Sequence, residues 1–188
     1  MGRDTRERIM AAALTLFVER GPGATPITAV EEAAGLLPGN GSFYRHFANK
    51  AALLDAVVDR ELARARKDPS AQVSHVDGTL AGQLLADLDF LNDLRSLIAI
   101  LLWERGRAPE LADRIQRLMV DRGVELGVAD LLAETPCPTV REDVTAAAAV
   151  MMSAMIGYFL SREYFGAPPA GVTPERFTTT LAGLLTRQ

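Results

Sequence analysis

The residues best suited to chemistry lie together in the stretch GLLPGNGSFYRHFANK, residues 35–50. Tyr44, Arg45 and His46 are consecutive there, although the chain has only three tyrosines and two histidines. A phenol, a guanidinium and an imidazole can all donate hydrogen bonds, and the guanidinium also carries a permanent positive charge. Such groups suit phosphate oxygens and the edges of bases. These residue types therefore point to recognition of a polyanion rather than to catalysis.

Helical spacing predicts that this segment has a buried face and a polar face. In a helix over about 41–47, Phe43 and Phe47 lie one turn apart and point inward. The opposite face then carries the polar side chains, which are Ser42 and Arg45, flanked by Tyr44 and His46. Lys50 follows at the start of the next helix, where its reach and charge suit a phosphate and the helix N-terminus adds partial positive charge.

The elements that must position this segment are short helices with clear start and stop signals. Apolar spacing predicts helices at about 4–20, 27–34, 41–47 and 49–67. Gly21 and Pro22 stop the first; Thr25 can cap the second and Gly35 can end it; Asn49 can cap the fourth. Two short helices joined by a glycine-containing turn and braced by longer ones describe a helix-turn-helix. In that motif the second helix enters the major groove of DNA.

The remainder of the chain predicts a separate helical bundle. Residues 68–77 are polar and unpatterned, and we interpret them as the joint between a domain at 1–67 and a domain at 68–188. Beyond the joint, helical patterns recur at about 78–92, 94–105, 109–133, 140–165 and 173–186. Strand patterns are nearly absent, so the sequence predicts an all-α fold of about nine helices, with an N-terminal helix-turn-helix three-helix module and a C-terminal bundle.

The composition indicates a folded protein that does not coat nucleic acid indiscriminately, because the net charge is −4. Residues 1–67 nevertheless carry +2 and residues 68–188 carry −6, so the N-terminal part is the one suited to a polyanion. The single cysteine, Cys137, excludes a disulfide within the chain and favours a reducing cytoplasm. The longest apolar run, 146–160, is shorter than the roughly 20 residues of a spanning helix, and we interpret it as a buried helix.

The run from Ile27 to Leu54, ITAVEEAAGLLPGNGSFYRHFANKAALL, resembles the DNA-binding signature of the tetracycline-repressor (TetR) family. The AAG, the aromatic YRHF, the lysine three residues after Phe47 and the pair Leu53-Leu54 carry the resemblance, which covers residues 5–60. Membership would imply a homodimeric repressor of operator DNA with a C-terminal ligand-binding and dimerisation domain. It would also imply that the DNA contacts come from Thr28, Ser42, Tyr44, Arg45, His46 and Lys50.

Two departures from the family pattern concern the turn. Tyr44 follows Gly39 by five residues where three are usual, so Asn40-Gly41 resembles a two-residue insertion. Glu31 occupies a position that is usually a small residue packed against the neighbouring helix. Two alternatives follow: the third helix begins late, near Gly41, or Pro38 starts a longer helix that carries Asn40 to the DNA.

Apolar side chains of the C-terminal helices are the candidates for a ligand site. The methionine-rich stripe of the apolar run suits core or dimer packing, or alternatively the wall of a cavity. The candidate ligand-binding residues are Phe90, Trp103, Met119, Met152, Met155 and Phe159. We expect an unknown, partly apolar small molecule as effector. We also expect a homodimer through the last two helices, at 140–165 and 173–186, where Ala146–Ala149 and Gly157 allow close approach.

The predicted function is a sequence-specific, DNA-binding transcriptional regulator in the cytoplasm, acting as a ligand-released repressor. An alternative is a helical small-molecule-binding or adaptor protein with a degenerate DNA-binding module, which the insertion and the net charge would allow. An enzyme is not expected, because the carboxylates form no recognisable set with a nucleophile. Two histidines and one cysteine show no metal-ligand spacing, so neither a metal nor another cofactor is expected.

Overall fold

The predicted all-α fold is confirmed, since no strand occurs in the computed structural model, which describes residues 2–67, 78–104 and 109–186. The predicted joint at 68–77 lies outside the described residues. In chain order the helices are α1 (Gly2–Ala24), α2 (Ile27–Ala33), α3 (Lys50–Lys67), α4 (Leu80–Asp93), α5 (Arg95–Trp103), α6 (Pro109–Gln116), α7 (Arg122–Ala133), α8 (Pro138–Glu142), α9 (Val144–Tyr164) and α10 (Pro174–Thr186).

The described residues divide into two compact units, and their boundaries differ from the predicted domains at 1–67 and 68–188. Among the described residues, one unit comprises 2–67 with 94–104 and 109–112, and the other comprises 78–93 with 113–186. Residues predicted for the C-terminal domain thus join the N-terminal unit, because α5 packs along α1.

The break in α1 creates polar backbone groups that other residues must satisfy. Gly21 has φ 78° and ψ 153°, which ends the regular helix where the sequence predicts a stop. Pro22 has no N–H, so the carbonyl of Val18 loses its helical donor. The indole Nε1–H of Trp103 on α5 donates to that carbonyl at 3.1 Å. The backbone break therefore explains why a tryptophan docks at this point.

The start of α2 differs from the prediction. The N-cap residue is Pro26, and no side chain caps the helix. Thr25 is buried, and its hydroxyl donates instead to the carbonyl of Gly21 at 2.8 Å. The predicted capping role of Thr25 is therefore wrong, because α2 begins one residue later, after Pro26, and the hydroxyl of Thr25 is turned toward the carbonyl of Gly21.

The end of α2 and the start of α3 are as predicted. Gly35 is left-handed with φ 67°, and its N–H donates to the carbonyl of Glu32 while the N–H of Leu36 donates to that of Glu31. This pair of bonds is a Schellman motif, a common helix stop. Asn49 caps α3 by accepting a hydrogen bond from the N–H of Ala52 at 2.8 Å.

The second unit is built around α9, with α7 and α4 packed along it and α10 packed on α4. Gly127 lets α7 approach closely, since a Cβ there would lie 2.6 Å from Cε of Met151. The predicted helix at 140–165 is two helices, because Asp143 leaves the helical conformation and caps α9 by accepting from the N–H of Ala146. The predicted helix at 109–133 contains a π-helical stretch at Arg117–Asp121 between α6 and α7.

Helix α9 is the one described helix that is long and apolar enough to cross a membrane by length and composition. Such a helix also occurs in the cores of proteins that never enter a membrane. In this chain only 28% of its most apolar window is buried. The expectation of a buried helix is therefore correct for one face of α9 and wrong for the other.

We expect Gly21→Ala to lower the free energy of unfolding by about 1–3 kcal/mol. The φ and ψ of Gly21 belong to a region that is nearly restricted to glycine, and a new Cβ would lie 3.0 Å from Cγ of Trp103. Urea unfolding followed by circular dichroism measures the change. Gly166→Ala is the control, because Gly166 has φ 76° but nothing within 4 Å of a built Cβ. Equal losses in the two variants would show that the contact with Trp103 contributes nothing.

Candidate nucleic-acid interface

The segment with the polar side chains is one helical turn, which we call the polar turn (Ser42–His46). Its centre, Phe43–Arg45, is a 3-10 helix, and the N–H of His46 donates to the carbonyl of Phe43 at 2.9 Å. Gly39 and Gly41 have φ values of 75° and 69°, which a right-handed helix does not accommodate. The alternative in which Pro38 starts a longer helix is therefore wrong, and the chain becomes helical only at Ser42.

The two phenylalanines anchor the polar turn, as the helical spacing predicts. Phe43 and Phe47 are buried, with ring centroids 5.7 Å apart. The guanidinium of Arg6 lies 4.9 Å from the centroid of the Phe47 ring, within the range of a cation–π interaction. Burial of these rings fixes which side of the turn faces outward.

The outer side of the turn carries the predicted hydrogen-bonding groups. Tyr44 is 62% exposed, and its ring meets the ring of Phe43 edge-on at 5.2 Å. Arg45 is exposed and has no salt bridge among the described residues, so its guanidinium is available to a ligand. Ser42 and His46 are half-buried, and Thr28 is exposed on α2. The structure thus brings a phenol, a guanidinium and an imidazole together on one turn.

Lys50 has partners within the protein that the sequence pattern does not reveal. Its Nζ donates to the carbonyls of Gly23 at 3.2 Å and Thr25 at 3.0 Å. An ammonium has three N–H donors, so one remains for a phosphate. Lys50 therefore connects the start of α3 to the turn between α1 and α2, and this structural role is independent of any contact with DNA.

Sequence reasoning did not assign a role to Glu31, which the structure places under the polar turn. Glu31 is 2% exposed. Its Oε2 accepts a hydrogen bond from the N–H of Gly39 at 2.7 Å, and its Oε1 accepts one from the N–H of Phe43 at 3.2 Å. The available signal was an acidic residue at a usually small position, eight residues before Gly39.

The segment Gly39–Gly41 contains the predicted two-residue insertion, Asn40-Gly41, and we call it the inserted loop. It continues from a tight turn. The N–H of Asn40 donates to the carbonyl of Leu37 at 3.4 Å. Pro38 and the left-handed Gly39 occupy the two central positions, as in a type II turn. Asn40 is exposed at the tip of this loop, next to the polar turn.

Arg8 of α1 holds the other end of α2. Its Nη2 donates to the carbonyl of Ala34 and, at 3.3 Å, to that of Gly35. A Cβ built on Gly35 would lie 2.9 Å from this nitrogen, so the guanidinium packs directly on the helix end. The orientation of α2 is therefore fixed from α1.

The six candidate ligand residues are divided between the two compact units. Met155 and Phe159 are buried on α9, Met152 is half-buried on the same helix, and Phe90 is half-buried on α4. The side chain of Met119 lies outside what the structure describes. Trp103 belongs to the first unit and is half exposed. The expectation that Trp103 faces an internal pocket is wrong, because its indole packs on Gly21 and donates to Val18.

The described residues contain no group of three or more histidine, cysteine or acidic side chains that could hold a metal ion.

Comparison with known proteins identifies the N-terminal domain and the fold. Residues 9–57 match the family model described as bacterial regulatory proteins, tetR family. A search of the curated proteins found no significant match.

Solved structures resemble the chain over nearly its whole length. A TetR transcriptional regulator from Chloroflexus aurantiacus J-10-FL is 23% identical with a TM-score of 0.74, covering 100% of this chain and 96% of that one. A TetR-family regulator from Cytophaga hutchinsonii is 20% identical with a TM-score of 0.71, covering 98% and 96%. The ketosteroid transcriptional regulator KstR2 of Mycobacterium tuberculosis is 21% identical with a TM-score of 0.62, covering 97% and 95%.

These likenesses show that the chain has the all-α fold of the solved regulators. Residues 9–57 match the tetR family of bacterial regulatory proteins, and the chain as a whole is similar to the solved regulators in its fold.

Proposed function

We propose that this protein is a homodimeric repressor that binds operator DNA through the polar turn and is released by a small, partly apolar effector in the cytoplasm. The observation that carries the proposal is the polar turn itself. Buried Phe43 and Phe47 hold it from below, while Tyr44 and Arg45 are exposed above. Arginine pairs with guanine edges through two hydrogen bonds, and the phenol suits a phosphate.

The proposed dimer surface lies on α9 and α10. The outward face of α9 exposes a stripe of small and apolar residues: Ala146, Ala149, Val150, Ser153 and Gly157. Leu184 of α10 is exposed as well. The ring of Tyr158 on α9 stacks on that of Phe177 on α10, with centroids 4.3 Å apart, so the two helices are held together. A large uncovered apolar face favours a partner, and a second copy related by a two-fold axis would cover it.

Two copies would place two polar turns in successive major grooves of a near-palindromic site. An effector can release the DNA only if it binds the two dimer geometries with different affinity. Phe90, Met119, Met152, Met155 and Phe159 remain our candidates for the effector site, with plain core packing as the competing role.

Selection of bound sites from random DNA, followed by gel-shift competition at moderate salt, tests the proposed function directly. A preferred, near-palindromic site supports it. Absence of any preference over competitor DNA would refute it, and effector binding without DNA affinity would favour the alternative of a degenerate module. A screen of partly apolar compounds for release of the bound site then tests the effector response.

We expect Val150→Glu to convert the dimer to a monomer, because each copy would bury a carboxylate in the interface without a partner. Sedimentation velocity measures the change, and binding to the full site should weaken with it. Leu132→Glu on α7 is the matched control, since Leu132 is 64% exposed and Val150 is 63% exposed. If Leu132→Glu became a monomer while Val150→Glu stayed a dimer, the interface would lie elsewhere.

We expect Arg45→Ala to relax sequence choice at one position of each half-site, at a cost of about 1–3 kcal/mol in discrimination. The readout is the selected-site profile. Arg20→Ala removes the same charge from an exposed position of α1 and should leave the profile unchanged. If Arg45→Ala weakened all sequences equally, Arg45 would be a phosphate contact.

We expect Lys50→Ala to weaken binding to all sequences and also to lower the free energy of unfolding by about 1 kcal/mol. Both effects follow from one side chain, because the carbonyls of Gly23 and Thr25 lose a charged donor. Arg64→Ala is the control on α3, since Arg64 is 80% exposed and its partner Glu61 keeps the closer ion pair with Arg60. A Lys50 variant as stable as the Arg64 variant would contradict the structural role.

A further inference from the structure

The buried carboxyl group of Glu31 is the strongest feature that the proposed function leaves unused. Glu31 is the one acidic residue in the buried part of the described chain. Removing a carboxylate from water costs several kcal/mol unless hydrogen bonds replace the lost hydration. Here the replacement comes from two backbone N–H groups, those of Gly39 and Phe43. No salt bridge to Glu31 occurs among the described residues.

The two N–H groups lie on either side of Asn40-Gly41. Gly39 begins the inserted loop, and Phe43 is the first residue of the 3-10 turn. Each is bound by a different oxygen of the same carboxyl group, so their separation is fixed by one rigid side-chain group. The two hydrogen bonds thereby hold the inserted loop against α2.

The bond to Phe43 replaces a cap that the segment itself lacks. The first N–H groups of a helical turn have no partner within that turn and need an outside acceptor. Ser42 stands at the capping position, but its side chain makes no capping hydrogen bond. Glu31 reaches from α2 and accepts that hydrogen bond in its place.

We infer that Glu31 is a positioning residue for the polar turn, and that it and the insertion Asn40-Gly41 form a single device that sets the angle at which the turn meets DNA. The inference rests on the proposed DNA-binding function. It assigns a purpose to both departures from the family pattern, because a two-residue insertion moves the turn and the buried carboxyl group fixes the new position. Glu31 itself is buried and touches no DNA.

A double-mutant cycle tests this inference. The four proteins are the unaltered chain, Glu31→Ala, the deletion of Asn40-Gly41, and the combination. We expect Glu31→Ala to weaken binding to the preferred site about tenfold or more, while binding to competitor DNA changes about twofold or less. In the deletion background the same substitution should change preferred-site binding no more than the control does. An equal loss in both backgrounds would overturn the inference, because Glu31 would then act independently of the loop.

The matched control is Glu32→Ala, which removes the same charge from the adjacent, exposed residue of α2. Its preferred-site binding should stay within about twofold of the unaltered chain, since its side chain is in water. If the Glu31 and Glu32 variants behaved alike, the inference would fail.

Amide hydrogen exchange of the DNA-free protein supplies a readout independent of DNA. We expect the Gly39 and Phe43 amides to lose protection in Glu31→Ala while the α3 amides keep theirs. Glu31→Gln has one acceptor oxygen in place of two, so it should protect one of the two amides and bind with intermediate affinity. Loss of α3 protection as well would show a general structural role and would overturn the inference.

This design separates the two ways of failing. An unaltered protein with no preferred site would refute the proposed function. An unaltered protein with a preferred site, together with unchanged amides at Gly39 and Phe43 in Glu31→Ala, would refute the inference alone.

Discussion

The first unit depends on the backbone carbonyls around the break at Gly21-Pro22, where the chain leaves α1. A carbonyl that loses its helical donor needs another donor, from water or from a side chain. Three side chains supply the donors: the indole of Trp103 for Val18, the hydroxyl of Thr25 for Gly21, and the ammonium of Lys50 for Gly23 and Thr25. These donors come from α5, from the turn itself and from α3. The break in α1 is therefore linked by hydrogen bonds to both α5 and α3.

The same principle acts at the other end of α2, with the signs of charge matched to the backbone groups. Arg8 donates to carbonyls that the helix end leaves exposed, and Glu31 accepts from N–H groups at the start of the next turn. Helix α2 and the polar turn are too short to be stable alone. Their orientation is set by side chains of other segments that bind their backbone ends, while the apolar anchor of Phe43 and Phe47 supplies the burial.

The second unit relies on apolar packing instead. Met151, Met155 and Phe159 bury one face of α9, and Gly127 brings α7 close to it. The other face of α9 stays exposed in the single chain. A helix that is apolar on both faces but covered on only one is suited to self-association.

Most of the helices follow from the sequence, because apolar spacing, Gly35 and Asn49 act locally. The run from Ile27 to Leu54 likewise predicts the match of residues 9–57 to the family model. The inward direction of Phe43 and Phe47 follows in the same way, since it depends only on their spacing of one turn. The hydrogen bonds of Thr25 and Asp143 were not predicted. The partner of each side chain depends on where the neighbouring helix breaks or begins. Sequence spacing carries no information about such geometry.

The sequence by itself determined that this chain is all-helical and carries a polar, cationic turn on two buried rings. Only the tertiary structure decided that Trp103 donates to a carbonyl of α1 and that Lys50 donates to two carbonyls of the protein. It also decided that Glu31 binds the N–H of Gly39 in the inserted loop. The physical reason is the distance along the chain. Trp103 and Val18 are 85 residues apart and Lys50 and Thr25 are 25 apart, so only folding brings each donor to its acceptor.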